Sequence, residues 1–386
     1  MSGVAAIEDA EPATLAGFDV IVDVRSPAEF AIDHVPGALS MPVLSDAERA
    51  EVGTIYVQES RFKARRVGGA YVARNVARHL ETAMAEWPAP HRPLIYCWRG
   101  GMRSNSMAII LAEVGWRTSV LKGGYRTYRR RVSTRLYDGP PAANVVLLEG
   151  CTGSGKTEVL ARLGQMGVQI VDLEQLAAHR GSLFGAIPGR PQPSQKMFES
   201  ELLAALDGLD PARPVVVEAE SSKIGEIIIP PALWAAMERA PRIELVASPE
   251  ARARYLADTY AELARDANLL AAGLERLPDR LGRRRREAWM ALAREGAFVE
   301  LAGELIDAHY DPAYRRSSRK EGGPRIGKVA VERLDRAGFN AAAAQVAAVL
   351  QPASIFYSRL SNSRGEDVDL DAVIREGRQI NPGSDL

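Results

Sequence analysis

At 386 residues the chain exceeds the roughly 250–300 residues over which a single core grows, so two domains are expected. A hydrophobic fraction of 46% and a charged fraction of 25% suit a globular protein, and the formal net charge of zero excludes a molecule-wide basic field. Any nucleic-acid contact must then come from local patches. The first residues lack a basic start and an apolar stretch, which argues against a secretory signal, and no apolar run approaches the ~20 residues of a membrane crossing. Two cysteines, both within motifs, give no disulfide framework and fit a reducing, cytoplasmic setting.

In chain order, residues 18–24 (FDVIVDV) form a short β-branched run ending beside Asp23, followed by loop residues and a helix-like segment. Residues 93–96 (PLIY) form another, which ends at Cys97 and a glycine-rich turn. A helix is expected over 104–114, a strand over 119–121, then the turn Lys122, Gly123, Gly124. Short apolar strands alternating with helices predict a parallel α/β sheet. This first domain is assigned to residues 1–135. Residues 136–143 are turn-rich and read as a linker. A second alternation follows: strand 144–149, a glycine loop, helix 155–163, and strands 168–171, 214–218 and 242–247. Residues 250–305 have helical periodicity. The second domain is assigned to 144–323, with a helical extension from about 329 to 350 and a polar, acidic tail within 324–386.

Cys97 opens the loop Cys97, Trp98, Arg99, Gly100, Gly101, Met102, Arg103, Ser104 between a strand and a helix. Such a loop curls backbone N–H groups around a sulfur and caps it with a helix N-terminus. Arg99 and Arg103 add positive charge. All three effects favour thiolate, so Cys97 is read as a nucleophile rather than as a small core residue.

Residues 150–157 (GCTGSGKT) satisfy the P-loop pattern between an apolar strand and a helix. Gly150, Gly153, Ser154, Gly155, Lys156 and Thr157 are the diphosphate-binding candidates. Lys156 reaches the terminal oxygens, and the Thr157 hydroxyl is the candidate Mg²⁺ ligand. Cys151 is a small filler. The aspartate that usually orients the metal after a buried strand is not obvious; Glu218 or Glu220 in its place, and Asp172 after strand 168–171, are the acidic candidates. Only seven of the 49 basic residues are lysines, so Lys156, Lys196 and Lys223 stand out as compact charges in loop contexts.

Arginines cluster at Arg276, Arg280, Arg283, Arg284, Arg285 and Arg286, again at Arg315, Arg316, Arg319 and Lys320, and at Arg126, Arg129, Arg130 and Arg131. Arg283–Arg286, Arg315 and Arg316 are the RNA-binding candidates. Trp289, Tyr310 and Tyr314 are nearby aromatics for stacking an unpaired base.

The cysteine loop, residues 23–30 (DVRSPAEF) and residues 34–38 (HVPGA) together resemble a rhodanese domain over about residues 15–130. By that resemblance Cys97 carries sulfur or selenium, while Asp23 and Arg25 tie the first strand to the active loop. Asp33 departs from the usual glycine, a change expected to leave the active loop untouched. A rhodanese loop followed by a P-loop, with residues 52–56 (VGTIY), 181–185 (GSLFG) and 218–221 (EAES), is similar to the tRNA 2-selenouridine synthase family. The resemblance implies an N-terminal rhodanese-like parallel-sheet domain followed by a P-loop NTPase-like α/β domain. It also implies conversion of 2-thiouridine to 2-selenouridine at the tRNA wobble position in two steps. Geranyl diphosphate first alkylates sulfur, and selenium from selenophosphate then replaces the S-geranyl group. No tightly bound cofactor is implied. The partners would be a wobble-thiolated tRNA and a selenophosphate-producing enzyme. Two rivals remain: a sulfurtransferase fused to an ATP-dependent small-molecule kinase, and a nucleotide-gated sensor whose Cys97 responds to oxidation.

Overall fold

A computed structural model describes residues 3–139, 144–261, 267–278, 281–317 and 322–362. Four residues of the expected linker, Arg280, Arg319 and Lys320 of the basic clusters, and the tail beyond residue 362 lie outside the described residues. The chain divides into two compact units, one from 1–139 with 193–207 and the other from 140–192 with 208–386.

The first unit is built on five parallel strands: β1 (Ala5–Ile7), β2 (Val20–Asp23), β3 (Leu39–Ser40), β4 (Pro93–Tyr96) and β5 (Ser119–Leu121), in the order β1-β5-β4-β2-β3. Every residue of β4 is buried, as a central parallel strand covered on both faces requires. Val72 and Val76 of helix Arg61–Glu81 and Met107, Ala108 and Leu111 of helix Met102–Val114 close the core around Val22, Ile95 and Cys97.

Helix Gln195–Asp207 belongs to this first unit, although it lies within the stretch expected to form the second domain without interruption. Its Glu199, 1% exposed, pairs with Arg129 and accepts from Tyr137 Oη at 2.7 Å, while Asp207 pairs with Arg131 at 2.7 Å. Ser200 donates to Asp33 at 2.7 Å. Tyr137 therefore sits in an ordered π-helical segment, Thr134–Asp138, and not in a linker that begins at residue 136. Glu199→Ala is expected to cost about 3 kcal/mol by removing the buried carboxylate that Arg129 and Tyr137 share, with Arg129 left its longer contact to Asp33 at 3.8 Å. Hydrogen exchange should show protection lost at residues 93–133 and kept at residues 145–171. Loss confined to the latter would contradict the assignment of this helix.

The second unit also has five parallel strands: β6 (Val145–Gly150), β7 (Gln169–Val171), β8 (Val215–Glu218), β11 (Arg242–Val246) and β12 (Arg325–Ala330), in the order β12-β11-β6-β8-β7. A small antiparallel hairpin, β9 (Lys223–Ile224) and β10 (Ile227–Ile228), follows β8. β6 is buried throughout and ends at the P-loop. Val159, Leu160 and Leu163 of helix Lys156–Gln165 share one core with Phe339, Ala342, Ala343 and Val346 of helix Arg336–Asn362. Residues 325–350 thus complete this unit and do not extend from it. The expected helix from 329 starts too early because short apolar runs suit either period, and pairing with β11 selects strand. Among the described residues no helix is long and apolar enough to cross a membrane.

Candidate active site

In the first unit β4 delivers Cys97 to the point where helix Met102–Val114 begins. Its sulfur, 3% exposed, accepts from the Gly101 amide at 3.2 Å and lies 3.2 Å from Ser104 Oγ. Burial opposes ionisation most strongly. The Ser104 hydroxyl and the amides of Ser104, Arg99 and Gly101 outweigh it and hold the thiol below its ordinary value. Arg103 points its charge at Glu29, at 2.8 Å, and Arg99 is exposed, so hydrogen bonds rather than the flanking guanidiniums do most to favour the thiolate. Ser104 is the partner that a charge-based reading of the loop overlooks.

Gly100 and Gly124 hold this loop against the turn after β5. Gly100 has φ 63°, and a Cβ there would lie 2.6 Å from Leu121 O. Gly124, with φ 58°, would drive a Cβ into Cys97 O. The next residue, Tyr125, donates its amide to Cys97 O at 2.8 Å and its hydroxyl to Asp33 at 2.6 Å. Asp33, 1% exposed, is therefore linked to the active loop through Tyr125, contrary to the expectation that it leaves the loop untouched. Asp23 and Arg25 form a buried pair at 2.5 Å, and Arg25 donates onward to Asp33 O at 2.5 Å. Val24 donates to Tyr96 O at 3.0 Å, which ties this bracket to β4.

Ser104→Ala in a Cys151→Ser background should raise the thiolate midpoint of Cys97 by about one unit, the loss of one hydrogen bond to a charged group. An ultraviolet thiolate titration reads this directly. An unchanged midpoint would show that the amides alone set it. Cys151 is pushed up by burial and then by Asp311, so its own reactivity is suppressed.

In the second unit the loop after β6 places Gly153 and Gly155 in the left-handed region, at φ 83° and 79°, before helix Lys156–Gln165. Lys156 Nζ donates to Gly150 O at 3.1 Å, and the Thr157 hydroxyl donates to Glu174 at 3.0 Å. A cavity of about 560 Å³ opens over this loop. Gly150, Gly153, Gly155, Lys156, Thr157, Glu174 and Glu220 meet there; Ser154 is buried beneath the loop. Asp172 instead caps helix Leu173–Leu176 by accepting from the Gln175 amide at 2.7 Å. Glu218, fully buried at the end of β8, accepts from the Glu174 amide at 3.3 Å.

Burial, followed by mutual repulsion, raises Glu174, and burial raises Glu220, to which Glu174 is hydrogen bonded. Burial and then Asp172 raise Glu218 well above the carboxylate range. Glu174 lies beyond the acidic candidates found in the sequence. Its only signal was its place in the first turn after β7.

The cavity is also lined by aromatic and apolar residues, Tyr255, Leu256, Tyr260, Tyr310 and Tyr314, with Arg180 over the Tyr260 ring at 5.0 Å. A smaller apolar recess shares Leu256, Tyr260 and Tyr310 and adds Phe184, Leu270 and Leu301. Tyr310 and Tyr314 therefore belong to this cavity. Trp289, 1% exposed, is a core residue of helix Arg283–Glu295 and offers no stacking face. Arg283, Arg284 and Arg285 are exposed, Arg286 is half-buried, and Arg283 pairs with Glu287. Arg315 and Arg316 are exposed at the end of helix Asp311–Ser317. Lys196 lies in the first unit and Lys223 pairs with Glu226, so neither lines the P-loop cavity.

A sulfur held among amides at the end of a parallel strand, and a separate phosphate-gripping loop at the end of another, define a rhodanese-like domain joined to a P-loop domain. The family model for a rhodanese-like domain matches residues 6–131, and that for the tRNA 2-selenouridine synthase AAA domain matches residues 143–333. The tRNA 2-selenouridine synthase of Shewanella denitrificans is 33% identical over 301 residues, covering 76% of this chain and 78% of that protein. Those of Marinobacter nauticus and Hahella chejuensis are 32% and 36% identical, over 76% and 62% of this chain and 87% and 63% of their own. The chain belongs to the tRNA 2-selenouridine synthase family.

Proposed function

We propose that this chain converts 2-thiouridine at the wobble position of tRNA to 2-selenouridine through an S-geranyl intermediate. In the first step the thiocarbonyl sulfur attacks C1 of geranyl diphosphate, the C1–O bond breaks, diphosphate leaves and the base loses its N3 proton. In the second, the selenium of selenophosphate attacks C2 and the S-geranyl group departs as the thiol. Water then takes the phosphorus as phosphate. Alkylation turns a poor leaving group into a good one.

The observation that carries this reading is the composition of the P-loop cavity. Its lining joins the loop and Lys156, which can hold a diphosphate, to tyrosine and leucine side chains shared with an apolar recess, and Arg180 over Tyr260 adds a second cation. A prenyl diphosphate has the same two halves. The Cys97 loop, with its depressed thiol and amide donors, suits the second step.

The residues also fit Mg²⁺. Thr157 and Glu174 lie hydrogen bonded beside the loop, and Glu218 keeps a buried oxygen without a hydrogen-bond partner. Among the described residues no group of three or more His, Cys, Asp and Glu forms a site by itself, so Thr157 and Glu174 would hold the ion jointly with diphosphate oxygens. Bound there, Mg²⁺ would neutralise the charge that develops on departing diphosphate. Pure protein, thiolated tRNA, geranyl diphosphate and selenophosphate should together yield 2-selenouridine by nucleoside mass spectrometry. Formation of 2-selenouridine at full rate without geranyl diphosphate would overturn the intermediate, and ATP turnover without tRNA would favour the kinase reading.

A further inference from the structure

The arginines at 126–131 divide by helix face in a way their clustering in sequence does not show. Helix Tyr125–Ser133 turns Arg129 toward Glu199 and Arg131 toward Glu11 and Asp207. Arg126 and Arg130, one turn apart, are exposed and line a polar basin of about 490 Å³ with Arg99, Lys122, Thr127 and Glu8. Among the described residues none of Arg99, Arg126 and Arg130 has a carboxylate partner; only Lys122 does, on the exposed Glu8. Two like charges one helical turn apart repel each other and favour an anion laid across them.

The same loop carries an aromatic platform. Trp98, between Cys97 and Arg99, is 36% exposed and stacks on Tyr125 with 5.2 Å between ring centroids and an interplanar angle of 28°. Tyr125 is itself held by Asp33 and lies under the Arg25 guanidinium at 4.1 Å. Trp98 O accepts from the Arg126 amide at 3.3 Å, which joins the platform to the basin. An exposed, backed aromatic ring beside a row of exposed cations is the arrangement that holds single-stranded RNA, with bases on the ring and phosphates on the cations.

We propose that Trp98, Arg99, Lys122, Arg126 and Arg130 form a surface for a splayed, single-stranded RNA segment, with an unpaired base on Trp98 next to Cys97. This rests on the reading that tRNA is the substrate and adds where on the first unit it is gripped. The acceptor is a polyanion with exposed bases; a free oxyanion would use the cations but not the ring.

The test is binding of fluorescently labelled tRNA to full-length protein over a range of salt. Arg126→Glu/Arg130→Glu should weaken binding at least tenfold and flatten the salt dependence by about 1.4 to 1.8, the share of two phosphates. Trp98→Ala should lose roughly tenfold for a stem–loop and little for a fully paired duplex. The Cys97 thiolate titration serves as a check that the loop is intact in each variant. If wild-type protein fails to bind tRNA, the substrate reading itself falls. If wild type binds and folded variants bind equally well with the same salt slope, this surface alone is overturned. Weakened inorganic phosphate binding with unchanged RNA affinity would likewise overturn it.

Discussion

Lys156→Ala is expected to lower S-geranylation of thiolated tRNA by roughly 100- to 1000-fold, the effect of removing one preorganised donor from a developing negative charge. The cavity makes this residue unusually exposed to loss. Glu158, Glu174 and Glu220 line it, and Lys156 and Arg180 are its cations. Without Lys156 a departing diphosphate would meet these acidic side chains with Arg180 as the remaining cation of the lining, so the variant should lose both ground-state binding and turnover. Lys156→Arg should recover only part of the rate, because a planar fork replaces a compact charge within a loop that already surrounds it. Quantified S-geranyl-2-thiouridine from single-turnover reactions checks both variants. Alkylation within threefold of wild type in Lys156→Ala would remove the P-loop from the chemistry.

Cys97→Ala should act on the other half of the reaction. 2-Selenouridine should fall below detection while S-geranyl-2-thiouridine accumulates, since the sulfur-holding loop and the P-loop belong to separate units. Cys97→Ser should fare little better. A hydroxyl remains un-ionised under conditions in which the amides of Arg99, Gly101 and Ser104 hold a thiolate. Combining Lys156→Ala with Cys97→Ala should leave unreacted 2-thiouridine as the main species, as in Lys156→Ala alone, which is expected when one step feeds the next. Selenation that persists in Cys97→Ala would mean that the loop positions selenium without needing the sulfur, and loss of both products would assign Cys97 to alkylation as well.

Much of the architecture could be read in advance because parallel strands in covered sheets are short apolar runs. The runs at 93–96 and 119–121 match β4 and β5 residue for residue, and those at 144–149, 168–171, 214–218 and 242–247 fall within a residue of β6, β7, β8 and β11. Three of the four strands at the sheet margins were harder. β12 alternates weakly and carries Gly327, and β1 and β3 are three and two residues long, so neither period stands out. Trp289 looked like an accessible ring because four arginines precede it, but the helix turns that position inward.

Sequence by itself determined the local chemistry. A cysteine followed by paired glycines and a glycine-rich loop ending in Lys156 and Thr157 are each contiguous, because a backbone nest is made by consecutive residues. Tertiary structure alone decided everything that depends on distant segments meeting. It brought Glu174 to Thr157, the four tyrosines to one cavity, helix Gln195–Asp207 to the first unit, and Asp33 to Tyr125 and Ser200. The hydrogen-bonded pairs among them lie 17 to 167 residues apart. Hydrophobic burial selects them in three dimensions and leaves no fixed spacing along the chain.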